Sequence, residues 1–222
     1  MVGEPSPIGE DDEIALDATK LQPMDRATEL WRVVEGERAG ASIVRERAPT
    51  DRFGATVADL WRRDGVDEQT YLLATAPDGA VSMPANLSHH DRAISRFEPA
   101  LLMAPAVLRP LKHGESSKVQ VHMTVRDEDR PEKVTQEGTA TREMKILDRV
   151  PIATPLGVFD AVRVSVEFRA KLTMATASEV AILYVVPELG VVAEQRREEI
   201  RAVGIFTRIT KQTIVRLPAP AP

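Results

Sequence analysis

Hydrophobic and polar residues alternate almost without interruption between Val158 and Leu172. Successive side chains on a β-strand point to opposite faces, so this segment predicts a strand with one apolar and one charged face. At roughly 3.3 Å per residue the strand would run about 50 Å, several times the usual length. We therefore expect the chain to be built around a large sheet with one apolar face. That face would carry Val162, Val164, Val166, Phe168, Ala170 and Leu172.

Further segments rich in strand-forming residues, separated by turn residues, predict more strands. Their short polar links favour antiparallel neighbours, because a parallel pair needs a crossover of about a dozen residues or more. A twisted sheet of this width curls or closes. The pattern predicts an all-β fold, a large curved antiparallel meander that forms a half-barrel or an open barrel. The predicted strands cover residues 41–47, 55–62, 68–76, 80–83, 117–127, 134–150, 178–186, 191–201 and 205–217.

The stretch from Phe97 to Leu111 is mostly apolar but contains Pro99, Pro105 and Pro110. Each proline lacks an amide donor, so the stretch cannot form one regular helix or a central strand. We expect an irregular apolar segment that covers the concave face of the sheet. It is either a plug that fills the core, which we prefer, or a lid over a ligand cavity. Residues 27–34 are a second candidate cover, either a short helix or an edge strand.

Both ends of the chain are poor in apolar residues. Residues 1–26 contain an acidic run at 10–13 together with prolines and glycines, and the last five residues contain only proline and alanine. Such segments bury too little apolar surface to offset the entropy lost on ordering. We expect a mobile acidic tail over 1–26, a single β half-barrel domain over 27–217, and a Pro/Ala tail over 218–222.

Composition excludes several classes of function. The net charge of −5 and the 4% aromatic content argue against nucleic acid as a partner. The chain has no cysteine, which excludes disulfides, thiolate metal sites and cysteine nucleophiles. It has no apolar run long enough to span a membrane. The first residues do not form a signal peptide, so the protein is cytoplasmic if this start is native, or exported with the signal already removed.

Three clusters of polar residues are candidates for chemistry. His89, His90 and Asp91 could bind a metal, although adjacent histidines on a polar loop are more often solvated. Residues 127–129 are acidic like the start of a calcium loop but lack its glycine and glutamate partners, which favours a solvated hairpin turn. The segment 194–199, with three glutamates and two arginines, could hold an acid and a base; we prefer a salt-bridged outer face. We therefore expect no metal, no cofactor and no catalytic residue.

Two turn regions carry a resemblance to a known superfamily. Residues 155–164, PLGVFDAVRV, contain a P-x-G-x-F-x-A strand start, and residues 184–192, YVVPELGVV, contain a Y-x-x-P-x-x-G-x-V turn one strand later. This pairing is similar to that of uncharacterised exported bacterial β-proteins and resembles the curved, incomplete barrels of LolA and LolB. The resemblance implies a concave face that receives acyl chains and a location in the periplasm or cell envelope. The chain departs from that pattern because it has no lipidation cysteine.

The predicted function is non-enzymatic binding or transport of an apolar ligand, a lipid or an acyl chain, in the bacterial cell envelope. The alternative is a structural or protein-interaction module whose core is fully plugged and whose edges or charged faces meet a protein partner. In the first case the ligand would lie between the apolar segment and the long strand. The expected contacts are Phe97, Leu101, Leu102, Met103, Val107, Leu108, Val162, Val164, Val166 and Phe168.

Overall fold

The computed structural model describes residues 2–7, 14–110, 117–202 and 206–219. Strands dominate these residues; the helical elements are α1, Ala18–Leu21, and a 3-10 turn, Arg52–Gly54. Helix α1 has four residues, far too few to cross a bilayer, and no described helix is long and apolar enough to do so. The strands are β1 Ser6–Pro7, β2 Leu16–Asp17, β3 Ala27–Gly36, β4 Ser42–Pro49, β5 Val57–Arg63, β6 Val66–Thr75, β7 Val81–Ser88, β8 Ala93–Ala104, β9 Val107–Leu108, β10 Val119–Asp127, β11 Val134–Thr154, β12 Gly157–Leu172, β13 Ala175–Val186, β14 Gly190–Ala202 and β15 Phe206–Arg216.

Twelve strands, β3 to β8 and β10 to β15, form a closed antiparallel barrel. Almost every strand pairs with its neighbours along the chain, as a meander requires, and the ring closes where β3 pairs with β15, with Arg32 opposite Val215. The all-β antiparallel meander is thus confirmed. The expected half-barrel or open barrel is not, because the first and last barrel strands, β3 and β15, pair with each other and close the ring.

The long alternating segment forms β12, and its predicted apolar face points into the barrel. Val164 is fully buried, and Val162, Val166 and Ala170 are at most 4% exposed. The turn that precedes β12 ends at Gly157, whose φ of 140° favours glycine. All nine other predicted strands are also present, with ends that differ by a few residues.

The prediction for Phe97 to Leu111 is wrong in its main point, because most of this apolar segment is barrel strand β8 and not a cover over the sheet. Between β7 and β8 the register jumps from Met83–Leu101 to Ala85–Arg96, so β8 contains a wide bulge that includes Pro99. A bulge residue makes no ladder hydrogen bond, which is how the strand accommodates a proline. Residues 111–116 lie outside the described part of the chain.

One end of the barrel is closed by the N-terminal residues, called here the plug: Ile14 to Leu21, comprising β2 and α1. Strand β2 pairs with β9, and Leu16 and Ala18 are each 2% exposed. The predicted tail over 1–26 therefore includes a segment that packs into the core; residues 8–13 are outside the described ranges. The plug rests on the β13–β14 turn, where a Cβ on Gly190 would lie 3.1 Å from the Lys20 carbonyl oxygen.

Candidate functional site

The barrel encloses a cavity of about 260 Å³ above the plug. It extends from Leu21 of the plug and the adjacent Gln22 to the exposed Asp91 in the turn between β7 and β8. Its lining divides by strand into two sides. We call the side formed by β7, β8, β10, β11 and β12 the apolar wall, and the side formed by β3 to β6, β13 and β14 the polar wall.

The apolar wall consists largely of flexible and aromatic side chains. Strands β7 and β8 also contribute Asn86, Ser88 and Ser95 towards the open end. Among the described lining residues of these strands, Arg142 on β11 is the one charged side chain. Methionine and aromatic side chains suit an apolar ligand of variable shape, since methionine adapts its rotamers to irregular gaps. The main apolar contributors are Met83, Phe97, Leu101, Met123, Met144 and Phe168.

The polar wall contains a buried arginine–carboxylate cluster formed by Glu29, Arg45, Arg47 and Asp59. Asp59 is fully buried and accepts hydrogen bonds from Nε and Nη2 of Arg45, at 2.8 and 2.6 Å. Arg47 donates to Glu29 at 3.0 Å, and Arg45 lies 3.8 Å from the same carboxylate. Burial raises the pKa of Glu29, but the hydrogen bond from Arg47 and the charge of Arg45 outweigh it and lower the pKa overall.

This cluster also holds the plug in position. Gln22, directly after α1, donates from its amide to Asp59 at 3.1 Å, and Arg47 donates to the Asp25 carbonyl oxygen at 3.0 Å. The charges are therefore mutually compensated and also fix the closed end of the barrel.

A second group of charges on the polar wall lies on β13 and β14. Arg196 pairs with Glu194 at 2.5 Å and with Glu179 at 3.4 Å, and its guanidinium stands 5.7 Å from the centre of the Trp61 ring. Arg45 lies 5.2 Å from the same ring, so Trp61 contacts two guanidinium groups.

Two titratable groups of the polar wall have pKa values shifted by their position. Burial raises the pKa of the Tyr71 hydroxyl to about 12. Glu198 stands directly opposite Glu179 in the β13–β14 ladder. Burial, with the negative charge of Glu179, raises the pKa of Glu198. Asp59 and Glu29 of the arginine–carboxylate cluster thus each have an arginine within 3.0 Å, whereas Glu198 faces another carboxylate across the ladder.

The structure corrects the interpretation of residues 194–199. The predicted salt-bridged outer face is wrong in its orientation, because Glu194, Arg196 and Glu198 line the cavity, and Glu194 is only 5% exposed. Arg197, one position out of phase, is on the outside with more than half of its side chain exposed. Inward and outward side chains do alternate along this strand. The assumption that all of its charged side chains point outwards was wrong.

The predicted ligand contacts divide into three groups. Phe97, Leu101, Met103, Val166 and Phe168 line the cavity. Val162, Val164 and Leu108 are buried in the core that surrounds it. Leu102 lines a separate groove described below, and Val107 is 42% exposed on β9. No observation shows a ligand at any of these residues, so their role stays a prediction.

The other candidate clusters have local structural roles. His89 Nε2 lies 2.8 Å from the Thr70 hydroxyl, and Asp91 accepts a hydrogen bond from Ser88 at 2.7 Å. Asp127 accepts hydrogen bonds from Arg130 and from the amide of Asp129, which lower its pKa and shape the turn before β11. Among the described residues, no group of three or more histidine or acidic side chains is placed to hold a metal ion.

Comparison with known proteins does not assign this chain to a family. No family model and no curated protein matches the chain. A solved structure named a "putative lipoprotein" from Parabacteroides distasonis is similar over 87% of this chain and 94% of its own, with 9% sequence identity and a TM-score of 0.35. At these values the likeness establishes neither a common fold nor a common function. The resemblance to LolA and LolB is not confirmed.

Proposed function

We propose that this protein is a non-enzymatic binding or carrier protein that takes one small amphipathic molecule into its barrel. The observation that carries the proposal is the cavity of about 260 Å³ with one apolar and one polar wall. Small-molecule sites typically combine apolar surface with a few fixed polar groups. The indole Nε1 of Trp61 and Oδ1 of Asn86, both on lining residues, are buried without a hydrogen-bond partner within the described structure. A ligand or water with polar groups would satisfy them.

The size of the cavity restricts the ligand. Typical small-molecule pockets measure about 300–1,000 Å³, so about 260 Å³ suits a short chain or a single compact molecule. An acyl chain, the class predicted from the sequence, fits this proposal if it is short.

The cell envelope remains our proposed location, and it rests on the resemblance of the 155–164 and 184–192 segments to exported proteins.

The alternative, a structural module with a plugged core, is supported by the hydrophobic core that includes the plug, in which Val33, Leu73, Val164 and Val185 are fully buried. Its predicted route to a partner through edge strands is limited, because β3 and β15 pair and, within the described residues, β8 and β10 are unpaired with each other only beyond Glu98 and His122. The two functions differ in whether the remaining cavity is occupied by a ligand.

A titration with octanol tests the proposal. The chain has two tryptophans, Trp31 and Trp61, and both line the cavity, so their fluorescence reports on its occupant. We expect a saturable change on addition of octanol. The variant Ala177→Phe places a ring in the cavity and should weaken binding at least about tenfold, because it removes the space for the chain.

The matched control is Thr176→Phe, which adds the same ring one residue away at an exposed position. It should bind octanol as the unmodified protein does. Native mass spectrometry of the purified protein adds a second measurement, an associated small mass that Ala177→Phe lacks. If octanol, octanoate and octylamine all fail to bind saturably and no mass is associated, the proposal is wrong and the plugged module is favoured.

A further inference from the structure

The barrel wall is incomplete between β8 and β10. These strands pair from Ala93 opposite Asp127 to Glu98 opposite His122, and their pairing ends there. Beyond this point β8 continues along β7, with Leu101 opposite Met83, while β10 continues along β11 to Val119. We call this gap the seam. Within the described residues, no other pair of neighbouring barrel strands separates over several residues while both strands continue.

A groove of about 290 Å³ lies at the seam. Its described lining has four apolar residues, one serine and two cations, and no acidic residue. Two of these side chains, Arg142 and Met144, also line the internal cavity, so groove and cavity share a boundary. The lining residues are Leu102, Pro105, Ser117, Lys118, Val119, Arg142 and Met144.

Arg142 is placed differently from the other arginines of the cavity. Arg45 and Arg196 each lie within 4 Å of two carboxylates. Arg142 reaches across the seam and donates from Nη2 to the Met103 carbonyl oxygen at 3.5 Å, a long hydrogen bond. The Nε atom of Arg142 is buried without a hydrogen-bond partner. Within the described residues, no carboxylate oxygen lies within 4 Å of the Arg142 guanidinium.

The electrostatics of Arg142 agree with this geometry. Burial lowers the pKa of its guanidinium, and the more distant Glu179 only partly opposes that effect. A buried cation without a close counter-charge is costly, and an anion brought next to it would recover part of that cost. The seam therefore presents one poorly compensated positive charge between an apolar groove and the apolar wall.

We propose that the seam binds the head group of an alkyl carboxylate, with Arg142 as its counter-charge and the chain in the internal cavity. This inference rests on the proposed function and names the ligand class of the same cavity. A guanidinium matches the two oxygens of a carboxylate.

Three probes with the same eight-carbon chain test the head group: octanoate, octanol and octylamine. At about pH 7.5 the carboxylate and the amine are charged, and the alcohol is neutral. By calorimetry and tryptophan fluorescence we expect octanoate to bind at least about tenfold more tightly than octanol, as expected for a desolvated charge-assisted contact. Octylamine should bind more weakly than octanol at the seam.

The variants Arg142→Gln and Arg142→Lys assign the effect to one side chain. Arg142→Gln should reduce octanoate binding to about the level of octanol and change octanol binding far less than octanoate binding, while Arg142→Lys should restore part of the preference. Arg149→Gln is the matched control, since Arg149 lies on the same strand, is 43% exposed at its side chain and lines neither space. Circular dichroism and melting curves confirm that each variant is folded.

The outcomes separate this inference from the proposed function. Equal binding of octanoate and octanol, with Ala177→Phe blocking both, would keep the binding cavity and overturn the carboxylate site. Loss of octanol and octanoate together in a folded Arg142→Gln protein would also overturn it, because Arg142 would then shape the cavity without contacting a head group. Failure of every probe in the unmodified protein would overturn both proposals.

Discussion

The two walls of the cavity hold their arginines in opposite ways. On the polar wall, Arg45 is 5% exposed and contacts two carboxylates, one of them bidentately. On the apolar wall, Arg142 has one long hydrogen bond and no carboxylate within 4 Å among the described residues. A buried charge that is fully paired stabilises a particular arrangement of strands. One that is poorly paired is costly in the empty protein, and that cost is recovered only when another group supplies the missing contacts.

This difference suggests that the walls have separate tasks. The arginine–carboxylate cluster joins β3, β4 and β5 to the residues that follow the plug, through Gln22 and Asp25. The apolar wall provides adaptable surface, a break in the strand pairing and one available cation. We infer that the polar wall maintains the barrel and that the apolar wall receives the ligand.

The largest effect is expected at Asp59. Asp59→Asn removes the negative charge beside the buried Arg45 and leaves it one longer ion pair, the contact to Glu29, so the free energy of unfolding should fall by about 3–5 kcal/mol. Urea denaturation measures this loss. The control Asp67→Asn breaks a 2.7 Å pair with Arg62 at the surface and should cost less than about 1 kcal/mol. If the two variants lose similar stability, the cluster does not have the structural role assigned to it.

A smaller, pH-dependent effect is expected at Glu29. The pKa of this carboxyl is lower in the folded protein than its ordinary value of about 4.5, so its contribution to stability is present above that pH. It should be lost as the pH falls through 4.5 towards the folded-state pKa. The stability difference between the unmodified protein and Glu29→Gln should therefore shrink in urea denaturation between pH 6 and pH 3.

The control for the acid prediction is Glu37→Gln, at an exposed position just after β3. Its stability difference from the unmodified protein should stay near zero across the same range. A difference at Glu29→Gln that does not change with pH would show that this carboxylate does not have the lowered pKa on which the prediction rests.

The sequence predicted the strands well because their signals are local. Two-residue alternation and turn residues such as Gly157 depend only on neighbouring positions, and ten segments were placed from them. Closure of the barrel depends on a distant contact, the pairing of β3 with β15. Residues 27–34 have no clean alternation, so β3 stayed undecided between helix and edge strand, and the joining strand was missed.

The candidate site was harder to predict, because part of its chemistry lies on the inner face of the barrel. Glu29 is in phase with the buried Trp31, and Arg45 is in phase with the buried Ile43. That shared phase was the available signal for an internal polar wall. Charged residues are seldom buried unless they are paired, so alternation alone favoured solvent for them. The pairing partner, Asp59, lies on another strand and cannot be identified from spacing.

The smallest effect is expected on the apolar wall, and it sharpens the comparison most directly. Arg142→Met replaces a poorly compensated guanidinium with an apolar side chain that suits its neighbours Met144 and Phe168. Since a desolvated charge is exchanged for apolar contact, the free energy of unfolding should stay within about 1 kcal/mol of the original or increase. Arg45→Met, the same substitution on the polar wall, leaves Asp59 fully buried without its main partner and should cost several-fold more. Urea denaturation of the two variants measures both values. Equal losses would mean that Arg142 is as necessary to the folded barrel as Arg45, and the division of tasks between the walls would then be wrong.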